Sequence, residues 1–194
     1  ASAFSPAVGP TGINLTKANL FALGLNATVL GGLANPYPTA KLQLYYDDAP
    51  MVLARDPNVE GDGRTWTYAG YEAMKATNDS CVFTVAADNV SKPALWQAAL
   101  ADGDDLWLHG FWQYDWRDTF VRVASIEEAG ADAYAVRRDD ATPPQYDWVD
   151  GARFYAVNAL RLLDDPGEYY VDAKSGDLWF LPPDGGGGAA VVSV

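Results

Sequence analysis

The sequence predicts an all-β domain, an antiparallel β-sandwich or barrel-like fold with one or two short helices. Three observations carry that expectation. Short apolar or alternating runs recur along the 194 residues, turn chemistries rich in Gly, Pro and Asp separate them, and helical periodicity is scarce. A βαβ fold would instead alternate strands with long amphipathic helical patterns.

"KLQLYY" (41–46) alternates polar and apolar residues, and "PMVLA" (50–54) follows a short Asp-Asp-Ala turn, which reads as a hairpin. Further strand signals are "CVFTVAA" (81–87), "DLWLHGFW" (105–112), "FVRVASI" (120–126), "AYAVRR" (133–138) and "ARFYAVNAL" (152–160). "EYYVD" (168–172), "DLWFLP" (177–182) and "AAVVSV" (189–194) complete the set. "DPNVEGDG", "DDATPPQ", "DDPG", "AKSG" and "PPDGGGG" supply the turns between them. "SKPALWQAALADG" (91–103) has a Ser before a Pro-started run and a late Gly, so it predicts a short helix. "GYEAMKAT" (70–77) is the candidate for a second. The expected organisation is an N-terminal arm over 1–12, a β-rich body over 13–184, and a Gly-rich connection with a C-terminal strand over 185–194. No repeat of fixed period is present, so a solenoid is not expected from the chain alone.

The formal charge of −13 and pI near 4.2 argue against nucleic acid and anionic membrane surfaces, both of which need a basic face. No apolar stretch approaches the roughly 18 residues of a membrane span. The start, "ASAFSPAVGP", is expected to follow any signal peptide rather than to contain one. Cys81 is the single cysteine, so no internal disulfide can form, and "CVFTV" reads as a buried strand. Asn14, Asn26, Asn78 and Asn89 each begin an N-x-Ser/Thr acceptor, where roughly one would arise by chance among eight Asn. Four acceptors point to a secreted or surface protein with these Asn on exposed turns.

"LWLHGFWQYDWRDTFVRV" (106–123) holds three of the seven Trp, the only His and two carboxylates. Its even positions are apolar from Leu106 to Trp116, with Gly110 between; after Asp118 the phase flips to Val121 and Val123. Side-chain direction has period two along a strand, so the flip demands a bulge or turn at Asp115-Trp116-Arg117-Asp118. Arg117 is placed to pair with either Asp, and the aromatic face is expected to pack inward.

The stretches "LGLNATVLGG…KLQLYYDDAP", "APMVLARDPN", "DLWLHGFWQYDWRDTFVRVASI" and "ARFYAVNALRLLDDPGEYYVDAKSGDLWFLPP" together resemble a β-rich domain of secreted right-handed parallel β-helix proteins. These belong to the pectate-lyase-like superfamily and include glycoside hydrolases. The resemblance spans roughly residues 13 to 183, and its most specific parts are the "W…YDWRD" corner and the "DDPGEYYVD…GDLWFLPP" hairpin. It implies a domain inserted into, or packed beside, the early coils of a β-helix, with the catalytic carboxylates on those coils. The chain is expected to end near the first resumed coil. Thr119 stands where the family commonly has an acid, and "ALRLLDDPGEYY" lacks the family's acidic pair.

Within the chain, Asp115, Asp118 and Glu168 are the candidate carboxylates for glycoside hydrolysis, which needs two such groups about 5 to 9.5 Å apart. Turn and salt-bridge roles suit Asp115 and Asp118 better, and an edge or turn role suits Glu168 better. His109 is expected to be a structural imidazole, since a single His and single Cys leave a nucleophile–base–orienter set incomplete. No zinc ligand cluster is present; Asp102, Asp104 and Asp105, or Asp62, could hold calcium or form solvated turns. Trp66, Tyr68, Tyr71, Tyr146 and Trp148 lie near loop chemistry and are the candidates for stacking on sugars.

Three functional readings follow. The first is a non-catalytic, glycosylated extracellular β-domain with a structural role. Its strand-like ends, "AFSPAV" and "AAVVSV", would assemble copies by strand exchange. The second is the accessory or carbohydrate-binding domain of a β-helix glycoside hydrolase, partnered by the neighbouring β-helix or by glycans. The third is hydrolysis by Asp115 and Glu168.

Overall fold

The computed structural model describes residues 4–25, 42–60, 67–70, 73–87, 92–183 and 188–193. The chain divides into two compact units, Ala1–Ala54 with Asn158–Val194, and Arg55–Val157. The second unit is therefore an excursion from the first.

The first unit opens with β1 (Ser5–Val8), β2 (Asn14–Asn19), β3 (Gln43–Tyr46), β4 (Ala49–Pro50) and β5 (Val52–Leu53). The expected hairpin forms as the β3–β4 pair, with Tyr46 opposite Ala49, but Pro50 alone of the expected 50–54 strand joins it; Val52 and Leu53 pair in parallel with Glu168 and Tyr169 instead. Asp47 and Asp48 turn it with φ of 47° and 64°, the two left-handed residues of a type I′ turn, whose twist matches that of the strands. Asp residues tolerate this backbone because a short polar side chain can bond locally; the Asp47 carboxylate accepts the Ala189 amide at 2.8 Å.

The second unit contains β6 (Arg55–Asp56), β7 (Ala69–Gly70), β8 (Met74–Ala76), β9 (Val82–Ala86), α1 (Pro93–Ala101), β10 (Trp107–Phe111), β11 (Thr119–Gly130), β12 (Ala133–Arg138) and β13 (Arg153–Val157). The expected helix is α1. Pro93 starts it, where a missing N–H costs nothing, and Gly103 follows it at φ 90° with its amide on the Leu100 carbonyl. The second helix expected over 70–77 is not what the described residues form: Met74–Ala76 pair antiparallel with Phe83–Val85 as a strand. Cys81 also departs from expectation. It sits partly exposed in the turn before β9, with its thiol on Asp140, rather than inside the strand.

The chain then re-enters the first unit through a 3₁₀ turn (Leu160–Leu162) and completes it with β14 (Glu168–Asp172), β15 (Asp177–Phe180) and β16 (Ala190–Ser193). One sheet runs β1-β2-β15-β14-β5, antiparallel except for the β14–β5 pair; a second runs β16-β3-β4. Their facing side chains, among them Leu44, Tyr46, Tyr169, Val171, Leu178 and Phe180, form one apolar core, so this unit is a sandwich. Tyr169 reaches across to donate its hydroxyl to the Leu42 carbonyl, and burial pushes that phenol up to about 12. Both terminal strands are paired inside the chain, β1 with β2 and β16 with β3.

In the second unit a sheet runs β6-β13-β10-β11-β12-β9-β8, with β7 also paired to β13. One face is the aromatic core, where Phe83, Trp96, Trp112, Trp148 and Phe154 meet at centroid distances of 5.3 to 5.9 Å. Trp96 projects from α1 and donates its indole N–H to buried Asp56 at 2.6 Å, while Lys92 lies 3.4 Å from the same carboxylate. Burial still raises the Asp56 carboxyl above its ordinary value.

The strand β10 ends against a glycine. A Cβ added at Gly110 would lie 2.7 Å from the Trp112 ring and 2.9 Å from the Phe154 Cβ, so the indole folds back over the strand only because that atom is missing. Replacing Gly110 by Ala is expected to destabilise the protein by about 1–3 kcal/mol through overpacking. A lower urea midpoint at unchanged m would show it, and an unchanged midpoint would mean the indole can move aside.

Candidate functional site

β10 and β11 pair antiparallel, with His109 opposite Phe120 and Gly110 opposite Thr119, and residues 112–118 make the corner between them. The phase flip read in the sequence is this corner. Leu106, Leu108 and Trp112 point inward before it, and Val121 and Val123 after it. The inward aromatic face ends sooner than expected, however. Beyond Trp112, whose indole N–H donates to the Thr119 carbonyl at 3.0 Å, the chain leaves the strand and period two no longer applies.

Tyr114 and Trp116 consequently stand outside, 40% and 69% exposed, where the alternation placed them in the core. Their rings stack at 5.2 Å and 16°, and Tyr146 closes edge-on against both, at 5.0 and 5.8 Å. Three aromatic rings thus form one ledge on the surface of this unit. Tyr114 and Trp116 are exposed and Tyr146 is half-buried, so the ledge leaves aromatic ring area open to solvent that burial would normally remove.

The carboxylates of the corner are both engaged, but not by Arg117. Asp115 is paired with Arg153 of β13, whose guanidinium also lies 4.2 Å from the Phe111 ring centroid. Asp118 takes His109 Nε2 at 2.6 Å. That bond holds the Asp118 carboxyl below its ordinary value, so the carboxylate accepts and Nε2 donates. His109 is 12% exposed, tilted over Phe120 at 4.3 Å and edge-on to Tyr155 at 4.9 Å. Burial lowers its pKa, against the opposing pull of Asp118. Its Nδ1 is buried without a hydrogen-bond partner.

A glycosidase acid needs a carboxyl raised toward neutrality and open to substrate. Asp118 is shifted the other way, and Asp115 is tied to a guanidinium. Glu168, in the other unit, is 3% exposed and accepts the Asp164 and Asp165 amides at 3.3 Å, the work of a turn-closing residue.

Of the expected stacking residues, Tyr146 joins the ledge. Trp148 does not: it is buried in the aromatic core against Phe83 and Trp112. Tyr68 is half-buried between Phe111 and Tyr155. Trp66 and Tyr71 lie outside the described residues, as do Asp62, Asn26 and Asn89. Asn14 and Asn78 are both exposed, Asn78 in the bend before β9 but Asn14 at the start of β2 rather than on a turn. Asp105 takes the Trp107 indole and Arg122, and among the described residues no three His, Cys, Asp or Glu gather to hold a metal ion. No helix among the described residues is long and apolar enough to cross a membrane.

Comparison with protein-family models and with curated proteins gives no match. Among solved structures, one titled glycoside hydrolase superposes with a TM-score of 0.54 at 21% identity, over 95% of this chain. The fold is shared with part of a glycoside hydrolase. This chain covers 29% of that structure's chain, so the likeness concerns a minor share of the hydrolase. At this identity it shows the fold.

The latch between His109 and Asp118 gives a prediction with a definite sign. His109 is the only His, so its imidazole resonance is unambiguous. Its folded pKa lies below the ordinary 6.5, so the unfolded chain takes up the proton first as pH falls. The stability it supplies is complete above that value and is lost as pH drops through the folded one. His109→Gln is expected to flatten the fall in urea midpoint between about pH 7 and 5. An NMR titration midpoint above 6.5 would reverse the sign.

Proposed function

We propose that this chain is a non-catalytic, glycan-binding accessory domain of a secreted carbohydrate-active protein. The observation that carries this reading is the ledge of Tyr114, Trp116 and Tyr146. Flat aromatic faces match the apolar C–H face of a pyranose ring, and an exposed stack gains by covering it. The engaged state of Asp115, Asp118 and Glu168 supports binding over bond cleavage. The fold shared with part of a structure titled glycoside hydrolase supports a carbohydrate setting. Exposed Asn14 and Asn78 in acceptor motifs support a secreted one.

The assembly reading, in which terminal strands are exchanged between copies, draws less from the structure, because β1 and β16 already have partners in their own chain. The ledge has no role in it.

Affinity electrophoresis in gels containing soluble polysaccharides tests the proposal. The wild-type chain is expected to be retarded by at least one glycan, and Trp116→Ala to weaken that binding roughly tenfold, the equivalent of about 1.4 kcal/mol. Trp116 is exposed, so its truncation spares the core; unfolding can be checked by circular dichroism. Retardation unaffected by Trp116→Ala would remove the ledge from the account.

A further inference from the structure

The arrangement of the three rings limits how much of a glycan the ledge can cover. Tyr114 and Trp116 are stacked, with centroids 5.2 Å apart and planes 16° from parallel. Carbon surfaces in contact lie about 3.5–4 Å apart, so a sugar held between two aromatic faces needs about 7–8 Å between them. This pair leaves no such gap. Each ring covers one face of the other, and only the two outward faces of the stack can meet a ligand.

Consecutive sugars of one chain can stack together only on rings whose faces lie side by side, in roughly one plane. Tyr146 does not extend the stack in that way: its ring stands at 86° to Tyr114 and at 73° to Trp116, and it is half-buried. Phe111 and Tyr68 do not extend it either. Both are half-buried, with the Arg153 guanidinium 4.2 and 5.4 Å from their ring centroids. Among the described residues no aromatic side chain besides Tyr114 and Trp116 is exposed, and Trp116, at 69% against 40%, is the more open of the two.

We infer that the ledge binds one pyranose residue of a glycan, on the outward face of the Trp116 indole, and stacks no second sugar beside it. This inference rests on the glycan-binding reading above and deepens it, because the recognised unit becomes a single sugar rather than a run of them. Tyr114 and Tyr146 are then positioning residues, one behind the indole and one at its side.

The test begins with affinity electrophoresis of the full chain in xyloglucan, xylan, galactomannan, polygalacturonate and alginate. Each polymer that retards the chain is cut by partial acid hydrolysis and sized, and its fragments of three to six residues are added as competitors at up to roughly 50 mM. Lengthening a fragment over that range multiplies the ways of presenting one ring by roughly two, whereas a second stacked sugar would add roughly tenfold. The expected result is competition whose half-inhibiting molar concentration changes less than about fourfold from trisaccharide to hexasaccharide, with retardation lost in Trp116→Ala. A gain of about fourfold or more with length would overturn the single-sugar inference and keep the glycan-binding reading. So would retardation by a polymer with which none of its fragments competes. Length-independent competition that persists in Trp116→Ala would take the sugar off the indole and overturn the inference. If no polymer retards the chain, the inference and the reading beneath it fall together.

Discussion

The indole of Trp112 lying over Gly110 is the contact on which the rest of the second unit's surface depends. A side chain at position 110 would occupy the space the ring needs, and the ring in turn stacks at 5.6 Å and 24° on Phe154 and meets Phe83 and Trp148. With the indole folded back and its N–H on the Thr119 carbonyl, β10 stops and the chain must turn. Core packing and chain reversal are thus the same event. The aromatic residues that follow have no room left in the core and are carried to the surface.

Once outside, the corner is held by charge. Asp118 at its far end is tied back to His109 on β10, and Asp115 at its crest to Arg153 on β13, so two strands of the sheet brace one loop. Surface ion pairs alone contribute little, typically below about 1 kcal/mol. The His109 contact differs because the imidazole is packed among Phe111, Phe120 and Tyr155, where a neutral ring is favoured and a rotamer change would clash. Asp115 and Asp118 are thus the braces of the corner.

Much of the fold was legible because its signals are local. The Asp47-Asp48 turn, the Pro93 start of α1, the strand pair ending in "DLWFLP" and the phase flip after Asp118 each follow from a few adjacent residues. The misreadings share a cause. "GYEAMKAT" has helix-forming residues, yet Met74–Ala76 lie against β9, and the gain from completing a sheet exceeds a propensity of a few tenths of a kcal/mol per residue. Tyr114 and Trp116 kept the alternation of the strand before them, but alternation says nothing once the strand has ended. Trp148 sits among loop residues in sequence and in the aromatic core in space.

By itself, then, the sequence determined an all-β protein with one or two short helices, a bend within the Trp-rich segment, and a strongly acidic net charge. Period, turn chemistry and charge are properties of neighbouring residues, and no distant contact is needed to express them. Only the tertiary structure decided which aromatic rings are buried, which partners Asp115, Asp118 and Glu168 take, and that Tyr146 meets Tyr114 and Trp116. Those outcomes depend on residues such as Arg153, 38 positions from Asp115, brought alongside by strand pairing that no single stretch of the chain encodes.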